Sequence, residues 1–201
     1  MFIELTEILR CPRGHPESYL VAAPITMDGR RIVRGAVGCP ECRAEFPIVD
    51  GVTYFGPPGR PSGAPAPGAA APEYDAAGLA AFLGLEGPGG YAALVGRAAR
   101  HGPEIVGLVP GVHFVAVNPP AGVAPGAALS ILVCPGGLPI KSSHVRAVAL
   151  GADHAGGAWL AEASRVLLPG LRLVVEDESA GPQGVAELAR GAGMFVGTRA
   201  G

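Results

Sequence analysis

The sequence predicts an α/β protein in which a small β-rich unit precedes a mostly parallel sheet with crossover helices. Three observations carry this. From Glu73 onward, short apolar strand patterns alternate with helical ones, as in a parallel sheet joined by crossovers. The strand candidates are continuous runs of Val, Ile, Leu and Ala, as expected of strands covered on both faces. Before Pro57 the pattern changes to short strand-like runs, the turn dipeptides Asp28-Gly29 and Asp50-Gly51, and three of the four cysteines.

These shifts divide the chain into residues 1–56, a linker over 57–72 and a second domain over 73–201. The linker has no apolar periodicity and is rich in proline, which favours an extended, semi-stiff spacer. In the second domain the pattern predicts a helix over 76–83, then a turn at Gly87-Pro88-Gly89-Gly90. Strands follow at 91–96 and 112–118, separated by a short helix over 103–108. Further strands fit 128–134 and 145–150. A helix over 157–167 ends at Pro169-Gly170. A strand over 171–176, a helix over 184–190 and a strand over 194–198 complete the reading.

Composition excludes several classes. With 49% hydrophobic and 16% charged residues a large core is available, although Gly and Pro together supply about a quarter of the chain. The formal net charge of −2 gives no global field for nucleic acid or an anionic membrane. Residues 105–140 contain no Asp, Glu, Lys or Arg, but six prolines cut that run into pieces too short to span a bilayer. Met1–Arg10 carries Glu4 and Glu7 and lacks a long apolar core, so no signal peptide is expected. The expectation is a soluble, cytoplasmic protein.

Cys11-Pro12-Arg13-Gly14-His15 and Cys39-Pro40-Glu41-Cys42 are the residues that point to a metal. A Cys-x-x-Cys turn brings two thiolates to one tetrahedral Zn²⁺ at about 2.3 Å. In the first knuckle Gly14 stands where a fourth cysteine would sit, and His15, one residue on, can supply an imidazole nitrogen. Two readings stay open. One is a Cys₃His zinc site at Cys11, His15, Cys39 and Cys42. The other is a metal-free ribbon held by Phe46, Val49, Val52 and Phe55. Cys134 lies in an apolar strand and reads as a buried core residue.

Leu5-Thr6-Glu7-Ile8-Leu9-Arg10-Cys11-Pro12, with Cys39–Cys42 and Phe46-Pro47-Ile48-Val49-Asp50-Gly51-Val52, resembles the small zinc-ribbon family that activates methyltransferases. The second domain resembles a class I S-adenosylmethionine (SAM)-dependent methyltransferase, a Rossmann-like fold. That likeness is carried by Leu138-Pro139-Ile140 and by the run from Trp159 through Arg165-Val166-Leu167-Leu168-Pro169-Gly170 to Val175. The family's first strand ends in an acid and a Gly-x-Gly-x-Gly turn. Here Leu94 takes the acidic position and only Gly96 of the three glycines is kept. Asn118 replaces the ribose-binding acid, Cys134 the acid near the adenine, and the fourth-strand acid falls near Arg146.

Together these substitutions argue against SAM binding, leaving Gly96, Asn118 and Cys134 as vestigial cofactor positions and no catalytic residue. The resemblance therefore implies a reduced, Rossmann-like pseudo-methyltransferase that acts by protein–protein contact. Its partner would be a methyltransferase or a second copy of the chain, and nucleic acid is not expected. The alternative is an active SAM-dependent methyltransferase of RNA, protein or a small molecule. Asp153-His154 reads as a loop capping the next helix, and His101 and His144 as solvated loop residues. His113 reads as packed within or at the edge of a strand, and Glu176-Asp177-Glu178 as a solvated strand end. The hairpin strand usual in the methyltransferase family is expected to be missing, leaving an exposed sheet edge.

Overall fold

The computed structural model describes residues 1–57 and 72–201; most of the proposed linker falls outside them. Among the described residues, eleven strands form one continuous sheet. β1 (Val21–Asp28), β2 (Arg31–Gly38), β3 (Glu45–Val49) and β4 (Val52–Tyr54) make an antiparallel meander. β4 then pairs in parallel with β7 (Leu129–Val133), Val52 opposite Ile131 and Tyr54 opposite Val133. The amino-terminal unit is thus joined to the larger sheet by main-chain hydrogen bonds, extended by Phe55 N–H to Val133 O at 2.8 Å.

β5 (Tyr91–Val95), β6 (His113–Val117), β7, β8 (Val145–Leu150) and β9 (Leu167–Val175) are parallel neighbours in the order β7-β6-β5-β8-β9. α1 (Ala76–Leu83) and α2 (Gly102–Leu108) cover one face through Leu79, Leu83 and Ile105, packed on Leu94, Phe114 and Ile131. α1 is capped at both ends. Asp75 Oδ1 accepts the Gly78 N–H at 2.7 Å, and Gly84 closes the helix at φ +57°. A cap of the Asp75 kind contributes about 1 kcal/mol.

α3 (Gly157–Val166) lies on the other face, and the amino-terminal segment shares that face with it. The connection from β7 to β8 contains no helix. In its place the 3-10 turn Ile3–Glu7 and its flanks bury Met1, Leu5, Ile8 and Leu9 against Val115, Val117, Leu132 and Ile140. Main-chain contacts fix the segment, with Arg10 N–H bonded to Pro139 O and Lys141 N–H to Ile8 O. Each buried aliphatic side chain is worth about 2 kcal/mol, so this docking is held mainly by apolar area.

Two expectations fail together. Residues 184–190, expected as a helix, form strand β10 (Val185–Gly191), paired antiparallel with β11 (Met194–Arg199), which inserts between β10 and β9. The hairpin strand expected to be missing is therefore present. The two turn residues, Ala192 and Gly193, both have positive φ (+51° and +77°), the type I′ geometry that matches hairpin twist. Pairing with β11 overrides the local helix preference of an Ala/Glu/Leu-rich segment. The sheet now ends on β1 and β10, and both edges are bulged, near Ile25 and near Leu188. Bulges of this kind oppose strand addition by another chain.

Candidate metal centre and strand-end crevice

The side-chain donor atoms of Cys11, His15, Cys39 and Cys42 all lie within 4.8 Å of one another and could hold a metal ion. Cys39 follows β2 and opens a tight turn in which Arg43 N–H bonds to Cys39 O and Cys39 N–H to Ala44 O, both at 2.9 Å. The opposite knuckle is anchored by the Arg10–Tyr19 bridge and by Cys11 N–H to Ser18 O at 3.3 Å.

Tetrahedral Zn²⁺ requires S···S edges of about 3.8 Å and S···N edges of about 3.6 Å, from its ordinary bond lengths. Cys11 Sγ stands 3.7 Å from Cys42 Sγ, and Cys39 Sγ 3.4 Å from His15 Nε2. His15 Nδ1 lies 2.8 Å from Pro16 O, so an Nδ1–H donated to that carbonyl turns the Nε2 lone pair toward the sulfurs. The residues present therefore fit zinc. Burial pushes the Cys39 thiol up, but hydrogen bonds from the Cys42 amide, the Ser18 hydroxyl and the Glu41 amide outweigh it and lower its pKa to about 6. Cys11 is pushed up to about 11, by burial first and by its neighbouring cysteines. The core of this unit is narrower than expected. Phe46 and Phe55 are buried with ring centroids 4.9 Å apart, whereas Val49 is 45% exposed.

The second region lies at the carboxyl ends of the parallel strands. The connections reverse direction between β5 and β8, and such a switch point opens the crevice in which doubly wound sheets bind ligands. The fold is Rossmann-like.

No known protein family matches this sequence, and no curated protein does either. Solved structures are similar to it at low identity. A chain from the complex between the Haloferax volcanii Trm112 methyltransferase activator and a protein named as a methyltransferase is 20% identical. The match covers 50% of each chain with a TM-score of 0.42. Geranyl diphosphate methyltransferase in complex with SAM is 19% identical over 50% of this chain and 46% of that one, with a TM-score of 0.38. The antibiotic-resistance methyltransferase Kmr is 14% identical over 64% of this chain and 94% of its own, with a TM-score of 0.42. This chain spans about half the length of the first two.

At the crevice, Gly96 turns out of β5 with φ +58°, and the 3-10 turn Ala152–His154 after β8 packs directly on it. A Cβ on Gly96 would overlap His154 Nδ1 and Asp153 Oδ1 and stand 2.8 Å from Asp153 Cγ. Asp153 Oδ1 accepts the Arg97 N–H at 2.9 Å. A backbone donor of the turn is thus used by the chain itself. Burial raises the Asp153 pKa, but His154 and the Arg97 amide hold it below the usual carboxylate value.

Asn118 is 6% exposed and serves the strand ends. Its Nδ2 donates to Cys134 O and its Oδ1 accepts from Cys134 N–H, both at 2.8 Å, so the amide locks the end of β6 to that of β7. Its Nδ2 also lies 3.3 Å from His154 Nε2. Gly96, Asn118 and Cys134, the positions expected to be vestigial, are therefore brought together through His154 and the strand ends, each in contact with other parts of the chain. Cys134 is buried, as expected.

Several sequence assignments change. Arg146 sits at the amino end of β8, where it donates to Gly87 O and Gly89 O and holds the Gly-Pro-Gly-Gly turn. The first acid along the chain after β8 is Asp153, two residues beyond Gly151. Asp153-His154 does not cap α3, whose N-cap is Gly156; it fills the crevice, with His154 edge-on to Trp159 at 4.5 Å. Glu176 is not solvated. Its side chain is 1% exposed, bonded to Arg100 at 2.5 Å, to the Tyr74 hydroxyl and to Ala152 N–H at 3.2 Å. His101 packs on Tyr74 at 5.0 Å, while His144 is exposed as expected. The sequence reading missed Tyr74, Arg97 and Arg100; only the Arg97/Arg100 spacing beside a lone acidic strand end hinted at them. Among the described residues, no helix is long and apolar enough to cross a membrane.

Proposed function

We propose that this protein is a non-catalytic interaction or regulatory protein: a zinc-ribbon unit docked in cis on a methyltransferase-like domain that no longer binds SAM. The observation that carries this reading is Asp153. Its carboxylate accepts the Arg97 N–H of the Gly96 turn and, with His154, occupies the switch-point crevice where a cofactor would lie. The missing acids at Leu94 and Asn118 support it from the sequence side. Zn²⁺ held by Cys11, His15, Cys39 and Cys42 is part of the proposal, as is a protein partner, either a methyltransferase or a second copy.

Calorimetric titration with SAM tests the central claim. No heat of binding is expected, and low-micromolar binding would establish the rival reading of an active methyltransferase. Co-purification from the native host tests the partner, and a protein that emerges alone and monomeric removes the interaction role.

A further inference from the structure

We propose that metal occupancy at Cys11/His15/Cys39/Cys42 is coupled to the strand-end crevice through the charged cluster Arg10–Glu17–Glu162–Arg165; this rests on the metal centre proposed above. The two ribbon members of the cluster flank the first metal knuckle. Arg10 directly precedes Cys11, and Glu17 lies two residues after His15. Arg10 reaches Glu162 at 3.4 Å and Glu17 at 3.8 Å. Arg165 grips Glu162 through two nitrogens at 2.7 and 2.8 Å and stands 3.9 Å from Glu17.

Glu162 is the junction. Its Oε2 accepts the Leu138 N–H at 2.9 Å, in the loop that follows β7, and a Cβ on Gly137 would meet that same oxygen at 3.0 Å. The carboxylate therefore fixes the loop leaving Cys134 while facing the knuckle. Trp159 lies three residues earlier on α3, on the same helix side. It touches His154, which touches Asn118 and the Gly96 turn. A path thus runs from the knuckle to the crevice through ion pairs, hydrogen bonds and ring contact, with α3 itself carrying the step from Glu162 to Trp159. The cluster side chains are only 22–36% exposed and are partly tied to backbone groups, so the pairs are less screened than ordinary surface ion pairs.

Coupling of this kind is reciprocal and commonly amounts to about tenfold in affinity. The experiment uses the full chain, stripped with a chelator and titrated with Zn²⁺ against a competing chromophoric chelator. Emission of Trp159, the single tryptophan, is followed in parallel. Glu162→Gln and Arg10→Gln are each expected to weaken zinc binding about tenfold, and the double variant no more than either alone, because they break one path. Glu187→Gln, which breaks the remote pair with Arg190 on β10, should leave affinity unchanged. Zinc should alter Trp159 emission in the parent and less so in the variants. Arg10→Gln reads the path from the ribbon side should Glu162→Gln fail to fold. A parent that binds zinc one to one, with variants within twofold of it or with unresponsive Trp159 emission, overturns the coupling alone. A parent that takes up no zinc overturns the metal centre itself.

Discussion

Acidification should unseat the amino-terminal segment by charging one buried imidazole. His113 opens β6, is 9% exposed, and stacks on Phe2 with ring centroids 4.6 Å apart and planes at 15°. Its Nε2 lies 2.9 Å from Ser130 Oγ, which also accepts the Phe2 N–H at 3.0 Å. Burial first, and the Met1 amino group second, lower its pKa from 6.5 to about 4. A histidine depressed in the folded state takes up its proton more readily when unfolded. Stability is therefore fully present above pH 6.5 and falls as pH drops from 6.5 to about 4. At 1.36 kcal/mol per pKa unit the loss over that window is about 3 kcal/mol. Urea unfolding followed by Trp159 emission would measure it, comparing the parent with His113→Phe at pH 7, 5.5 and 4.5. Chelator present throughout makes metal loss common to both proteins. The phenyl ring keeps the stack on Phe2 but cannot titrate, so the parent should lose about 2.4 kcal/mol relative to the variant between pH 7 and 4.5, most of the full shift. A parent–variant difference that stays constant from pH 7 to 4.5 would refute the assignment.

Three further outcomes are expected. Gly96→Ala combines a positive φ with overlap against Asp153 and His154, and should cost at least about 2 kcal/mol in urea unfolding, with an unchanged fold by far-UV circular dichroism. Arg100→Met leaves the Glu176 carboxylate buried with Arg97, 3.9 Å away, as its one remaining cation among the described residues, and should cost about 3 kcal/mol by the same assay. Zinc at a thousand times its Kd should stabilise the parent by about 4 kcal/mol, and Cys39→Ser should abolish that gain while lowering the metal content measured by emission spectroscopy.

The parallel core was legible because its strands are uninterrupted apolar runs. The expected boundaries of β5, β6, β7 and β8 fall within one residue of those observed at each end. The β10–β11 hairpin was not. Its turn is Ala-Gly rather than Asn-Gly, and its outer strand is solvent-facing and rich in helix-forming residues, so only pairing with β11 reveals it as a strand. At the crevice, the absence of acids at Leu94 and Asn118 could be seen in the sequence, but the contact of Asp153 with the Arg97 amide could not. Asp153-His154 lies more than fifty residues from Gly96, and contact between them depends on β5 and β8 being neighbours. The four residues that could hold a metal were legible as a group because their spacing is local within each knuckle.

The amino-terminal unit changes what the rest of the chain can do. The apolar side chains of Met1, Leu5, Ile8 and Leu9 are spent on the chain's own sheet, where they take the place of a crossover helix between β7 and β8. The free side of β7 is closed by β4. Both remaining sheet edges are bulged, and β1 also carries Pro24, which has no N–H to offer an added strand. A partner that bound by extending this sheet would meet obstacles at either end. On the proposed function, recognition must therefore use side chains on the outer surface, such as the exposed Tyr19, Val21 and Ile25 of the ribbon. Val21→Glu should then weaken partner capture without lowering the chain's melting temperature, whereas Leu5→Glu, in the cis interface, should lower it.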